Sequence, residues 1–131
     1  MNFFSLFKRN LIYKFKKKQN IDNQRFSQRN LDNLFHHYGS DKSNIFRHTG
    51  CYGHGYSKYY NKYLKDLKNK KLRILEIGSY AGASAAAFKK FFINSKIFCF
   101  DVNISNFTYS SKDIKVYGID LDEKVVKKAI D

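Results

Sequence analysis

Glu76, Gly78, Gly82 and Asp101 are the residues whose types and spacing point most directly to chemistry. Three of them lie in Leu72-Arg73-Ile74-Leu75-Glu76-Ile77-Gly78-Ser79-Tyr80-Ala81-Gly82-Ala83-Ser84. The fourth ends the run Ile97-Phe98-Cys99-Phe100-Asp101, about 20 residues further on. An apolar run, a turn of small residues and an alanine-rich segment read as strand, turn and helix. That order builds a nucleotide pocket at the carboxyl edge of a parallel sheet. Gly78 has no Cβ, so the chain can turn tightly and a ligand can approach the backbone. Gly82 lets the helix start close to the sheet. An acid at the end of the second strand, here Asp101, can accept hydrogen bonds from two ribose hydroxyls. The dinucleotide fingerprint demands a second glycine where Tyr80 stands, so a pyrophosphate is a poor fit to this backbone.

Elements must be in place to hold these residues. Leu72–Ile77, Lys96–Asp101 and Ile114–Ile119 are expected strands. Their continuous apolar character suits strands buried on both faces of a parallel sheet. Ala83–Phe92 is an expected helix, and Asp122 is the expected cap of another through Ile130. Upstream, a short helix is expected around 30–37, with Leu31, Leu34 and Phe35 on one side. Residues 38–56 are loop-like, punctuated by Gly39, Gly50, Gly53 and Gly55. Ser57 is the expected N-cap of a helix reaching about Leu67, with Tyr60, Tyr63, Leu64 and Leu67 as its apolar face. Strand, helix, strand, loop, strand, helix implies an α/β fold with crossovers.

The Glu-x-Gly-x-x-x-Gly turn resembles motif I of the class I S-adenosylmethionine-dependent methyltransferases. The resemblance implies a Rossmann-like parallel sheet, truncated to about three strands of a seven-strand fold, with an N-terminal helical extension. It implies S-adenosyl-L-methionine as cofactor. Glu76 would orient its ammonium group, and Gly78, Ser79, Tyr80 and Gly82 would form the backbone wall. Asp101 would hold the ribose, and Asp120, in Gly118-Ile119-Asp120, would approach the adenine amino group. Upstream, Tyr38-Gly39-Ser40-Asp41-Lys42 and His54-Gly55-Tyr56 resemble the entry to the macrocin and mycinamicin O-methyltransferases. That likeness covers roughly residues 34–125 and implies a small-molecule acceptor, a sugar hydroxyl, with Asp41, His54 and Tyr56 near it. In that group the Mg2+ ligands and the catalytic base belong to a later part of the fold, so no catalytic residue is assigned here. The expectation is a truncated or split frame, with an isolated chain that binds cofactor poorly and does not turn over.

Composition sets the remaining bounds. The chain has 131 residues, 43% hydrophobic and 18% aromatic, enough for one small domain. Residues 30–131 are read as the partial cofactor-binding domain, and 1–29 as a basic amphipathic helix followed by a polar linker. Net charge is +14. Half of that excess lies in residues 1–30, where Lys8, Arg9, Lys14, Lys16, Lys17, Lys18, Arg25 and Arg29 face only Asp22. Within residues 2–18, Phe4, Phe7, Leu11 and Phe15 recur at helical spacing between the lysines. Such a helix suits an anionic membrane surface, or docking on the domain or a partner. Cys51 and Cys99 are too few and too far apart for a disulfide framework, and no secretory signal or membrane-length run is present. These features point to a cytoplasmic protein, membrane-peripheral if the basic helix binds lipid. His48, Cys51 and His54 have ligand-like spacing but no clear fourth partner, so no metal site is assigned and the loop is read as a flap. Ser79 and Ser84 have no accompanying His and Asp arrangement, which argues against a hydrolase. The competing classes are a basic protein binding nucleic acid or membranes, and an inactive remnant. No specific nucleic-acid partner is expected.

Overall fold

A computed structural model describes residues 3–48 and 51–119. Along the chain it forms helix α1 (Phe3–Phe15), β1 (Gln19–Asn20), α2 (Leu31–Tyr38), β2 (Arg47–His48), β3 (Cys51–Tyr52) and α3 (Ser57–Leu64). Then come β4 (Arg73–Ile77), α4 (Ala83–Phe91), β5 (Lys96–Asp101), β6 (Tyr109–Ser110) and β7 (Ile114–Gly118). The expected helix after Asp122 lies outside the described residues, as does Asp120.

The organising element is a three-stranded parallel sheet, ordered β4-β5-β7. Parallel neighbours need a crossover, and α4 supplies the one between β4 and β5. Alternation along β5 sends Ile97 and Cys99 to one face, where both are fully buried. Helix α4 covers that face. Ala85, Ala86 and Ala87 are fully buried, and small side chains let the helix lie close to its neighbours. Phe88, Phe91 and Phe92 fill the space beyond, against Leu31, Leu34 and Phe35 of α2.

The other face differs from the expectation of strands covered on both sides. Leu75 is 56% exposed, Ile77 74% and Tyr117 47%. No helix of the described residues lies over them, so β4 has an exposed apolar face, while Phe98 and Phe100 on the same side of β5 are half-buried.

Helix α2 is held at both ends. The Asn30 side chain accepts the backbone N–H groups of Asp32 and Asn33, satisfying donors the first turn leaves unpaired. At the other end Gly39 adopts φ +79°, and the N–H groups of Gly39 and Ser40 return to the carbonyls of His36 and Phe35. This turn aims Ser40-Asp41-Lys42 back toward β4.

Two expectations about local structure need correction. Ser57 does not cap α3: Tyr56 holds the cap position without a side-chain bond, and the Ser57 hydroxyl donates to Asp32 Oδ1 at 2.7 Å. Asp32 also accepts the Asn44 N–H at 2.7 Å, so a tertiary partner outcompetes local capping and ties the loop to α2. The helix expected to run to Leu67 tightens into a 3-10 turn at Lys65–Leu67. The polar stretch after α1 is also stitched into the domain. Gln19–Asn20 pairs in parallel with Tyr109–Ser110, Ile21 is fully buried, and Asp22 accepts the Ser111 hydroxyl at 2.6 Å.

Candidate functional site

Strand β4 delivers Glu76 to the edge of the sheet, and the chain then turns through Gly78–Gly82 into α4. Gly78 and Gly82 take φ +76° and +78°, values that favour glycine. A Cβ on Gly82 would run into the Phe107 ring, whereas one on Gly78 would meet nothing within 4 Å. The first glycine faces open space and the second seals a packed junction. Tyr80, at φ 49°, is the one non-glycine residue with positive φ among those described. Its backbone N–H donates to Asp101 Oδ2 at 2.6 Å, which helps hold this strained position. The other carboxylate oxygen of Asp101 accepts the Asn103 N–H at 2.8 Å.

Glu76 secures the other end of the turn. Its Oε1 accepts the Ser84 hydroxyl in the first turn of α4 and lies 3.7 Å from Lys42 Nζ. Its side chain is only 10% exposed, and Oε2 is buried without a hydrogen-bond partner. Burial raises the carboxyl above its ordinary range, against the opposing pull of Ser84 and Lys42. A buried carboxylate oxygen with an unused lone pair has room for a hydrogen-bond donor, and a cationic donor would suit its charge. It also repels phosphate at a helix start that would otherwise attract it. This charge, with the Tyr80 side chain, sets the site apart from a dinucleotide pocket.

Two spaces adjoin the turn. A cleft of about 130 Å³ is walled by Gly78–Ala81, Ser84, Ser40, Asp41, Lys42 and Tyr13. A groove of about 510 Å³ follows β4 and is lined by Lys42, Glu76, Tyr60, Leu64, Leu67 and Phe88, among others. Lys42 and Gly78 border both. The smaller space is the one ringed by polar atoms of the turn; the larger is mainly an apolar trough.

The structure brings Glu76, Gly78, Ser79, Tyr80, Gly82 and Asp101 around one turn. Asp41, His54 and Tyr56 form a second group. His54 Nε2 lies 3.7 Å from Asp41 Oδ2, and the His54 and Tyr56 rings stack with centroids 5.4 Å apart. The His54 N–H also donates to the Asp41 carbonyl at 2.7 Å. Sequence reading gave no cofactor-site role to Lys42, Ser84 or Tyr13, yet all three line the turn. Lys42 stood beside Asp41 in a segment already noted. Ser84 stands in the motif as the second residue of α4, with nothing in the sequence to mark it as a partner of Glu76. Nothing local marks Tyr13, whose ring meets Tyr80 edge-on at 5.4 Å from a remote helix.

No protein-family model matches the chain, and no curated protein matches it. Solved structures do. MycE methyltransferase from the mycinamycin biosynthetic pathway, in complex with Mg, SAH and mycinamycin VI, aligns with a TM-score of 0.58 at 20% identity over 77% of this chain. The same enzyme with Mg and SAH aligns with TM-scores of 0.59 and 0.56 in two crystal forms, at 21% identity in each. The chain spans about a quarter of the length of those proteins. The fold is therefore Rossmann-like, with three parallel strands, and corresponds to part of the MycE methyltransferase fold.

The residues present fit an adenosyl amino-acid cofactor in one specific respect: the orphaned Glu76 Oε2 matches an ammonium group. Among the described residues, no group of three or more His, Cys, Asp or Glu side chains could hold a metal ion.

Proposed function

We propose that this chain is the cofactor-binding part of an S-adenosylmethionine-dependent methyltransferase that acts on a hydroxyl of a sugar or glycosylated small molecule. The unsatisfied, buried Glu76 oxygen beside an open glycine carries the reading. It is a receptor for a positively charged donor at a turn that offers phosphate no welcome. In this reading Glu76 Oε2 accepts from the cofactor ammonium, while Oε1 stays with Ser84 and Lys42. The Gly78–Tyr80 backbone lies along the cofactor, helped by the open side of Gly78. Asp101 uses its remaining lone pairs on the ribose hydroxyls, and Asp120 serves the adenine edge. The cofactor, when bound, supplies a methyl group attached to its own leaving group. The protein then has to align an acceptor oxygen with the carbon–sulfur bond. Asp41, His54 and Tyr56 are proposed to face the acceptor, because they form a polar and aromatic cluster on the loop that begins at the cleft. No catalytic base and no Mg2+ ligand is assigned among the described residues.

The acceptor class follows MycE, which is solved with mycinamycin VI. We place the enzyme in the cytoplasm, with α1 as its candidate for peripheral attachment. No helix among the described residues is long and apolar enough to cross a membrane.

Photo-crosslinking with methyl-labelled S-adenosylmethionine tests the cofactor assignment. Label is expected on the Gly78–Gly82 or Asp101 peptides. S-adenosylhomocysteine should compete for the site, whereas a nicotinamide dinucleotide should not. Label scattered over the lysine-rich segments, or competition by any nucleotide, would overturn the assignment.

A further inference from the structure

Helix α1 presents its apolar stripe to solvent. At 100° per residue, Phe4, Phe7, Leu11 and Phe15 fall on one side, while Tyr13 falls on the opposite side. Tyr13 faces the domain: its ring meets Tyr80, and its hydroxyl lies beside Gly39. Lys16 reinforces that seat by donating to the Tyr109 hydroxyl at 3.3 Å and by lying over the Tyr13 and Tyr109 rings. The stripe consequently points outward, with Phe4 80% exposed, Phe7 60%, Leu11 48% and Phe15 79%. Lys8, Lys14, Lys17 and Lys18 are exposed on or just after the helix, and residues 1–18 contain no acidic side chain.

We propose that this stripe is a docking surface for an anionic phospholipid bilayer. The phenyl and leucyl groups would enter the boundary between headgroups and acyl chains, and the lysines would meet the lipid phosphates. Charge complementarity selects this occupant. A second copy meeting stripe to stripe would bring two wholly basic segments together without a counter-charge. A nucleic acid would answer the lysines but leave the leucine and most of the phenyl surface in water. The inference stands independently of the methyltransferase reading, since no residue of the cofactor turn takes part in the stripe.

Flotation of the full chain with vesicles tests it. The vesicles would be equal mixtures of phosphatidylglycerol and phosphatidylcholine, compared with phosphatidylcholine alone. Strong binding is expected only to the anionic vesicles, weakening as salt is raised. The triple variant Phe4→Ser, Phe7→Ser, Phe15→Ser should lose at least tenfold in binding. These side chains touch water, so its thermal melt should match that of the parent, and Tyr13→Ala should retain binding through the intact stripe. No binding to anionic vesicles, or equal binding by the triple variant, would overturn the proposal. So would tighter binding to single-stranded RNA at the same salt, or dimerisation that the triple substitution abolishes without any vesicle binding.

Discussion

At the scale of single residues, the burial of Glu76 beside Lys42 and Ser84 has a clear electrostatic consequence. In the free chain burial holds its carboxyl above the ordinary value, so protonation begins at a higher pH than for an exposed glutamate. An ammonium ligand needs the ionised form. Affinity for S-adenosylhomocysteine should therefore fall as pH drops through the raised value, and binding should expel a proton there. Glu76→Gln should bind more weakly and lose that pH dependence. Titration calorimetry in two buffers of different ionisation enthalpy would detect both effects, and a pH-independent affinity in the parent would count against the ammonium assignment. Gly82 offers a structural counterpart. Its left-handed backbone and its contact with Phe107 should make Gly82→Ala cost about 2–4 kcal/mol in urea unfolding. Gly78 has the same sign of φ but open space, so Gly78→Ala should cost less, about 1–2 kcal/mol.

Among the elements, α4 depends on an internal anchor at its C-terminal end. Lys89 is largely buried, forms an ion pair with Asp113 at 2.8 Å, and donates to the carbonyls of Ile93 at 2.7 Å and Ser95 at 3.1 Å. One cation thus ties the end of α4 to the loop before β5 and to the approach to β7. Lys89→Met keeps the stem but removes the charge, leaving Asp113 without its cation. The expected cost is about 2–3 kcal/mol, below that of a fully buried pair because Asp113 is a quarter exposed. Chemical denaturation would measure it. Sequence patterning located α4 to within a residue, since Ala83–Phe92 is small or apolar apart from Lys89 and Lys90. The same patterning had no means to show that Ser57 would favour Asp32 over its own helix, because that competition depends on residues 25 positions apart.

Across the whole molecule, the sheet has two unlike faces. Beneath α4, Ile97 is fully buried, and Ile97→Ala should cost about 2–5 kcal/mol. On the bare face, Ile77 is mostly exposed, and Ile77→Thr should change stability by no more than about 0.5 kcal/mol. Equal costs in unfolding experiments would mean that the second face is covered in solution. Alternation within β4 and β5 shows which residues share a face, but both sets are apolar. Nothing in the strand composition could tell the covered set from the exposed one.

The amino-acid sequence by itself determined the three strands of the main sheet, helix α4 between the first two, the glycine turn and the acids beside it, but not the short strands β1, β2, β3 and β6. Those it did determine follow from short-range rules: apolar runs make strands, a missing Cβ permits positive φ, and a strand end places an acid at the sheet edge. Tertiary structure decided what those rules do not reach. It put Lys42 and Ser84 on one oxygen of Glu76 and left the other without a partner. It joined the stretch after α1 to β6, and it turned the apolar stripe of α1 away from the domain. Each outcome depends on groups distant in the chain competing for the same partner or surface, and burial and hydrogen-bond satisfaction settle that competition only once the chain is folded.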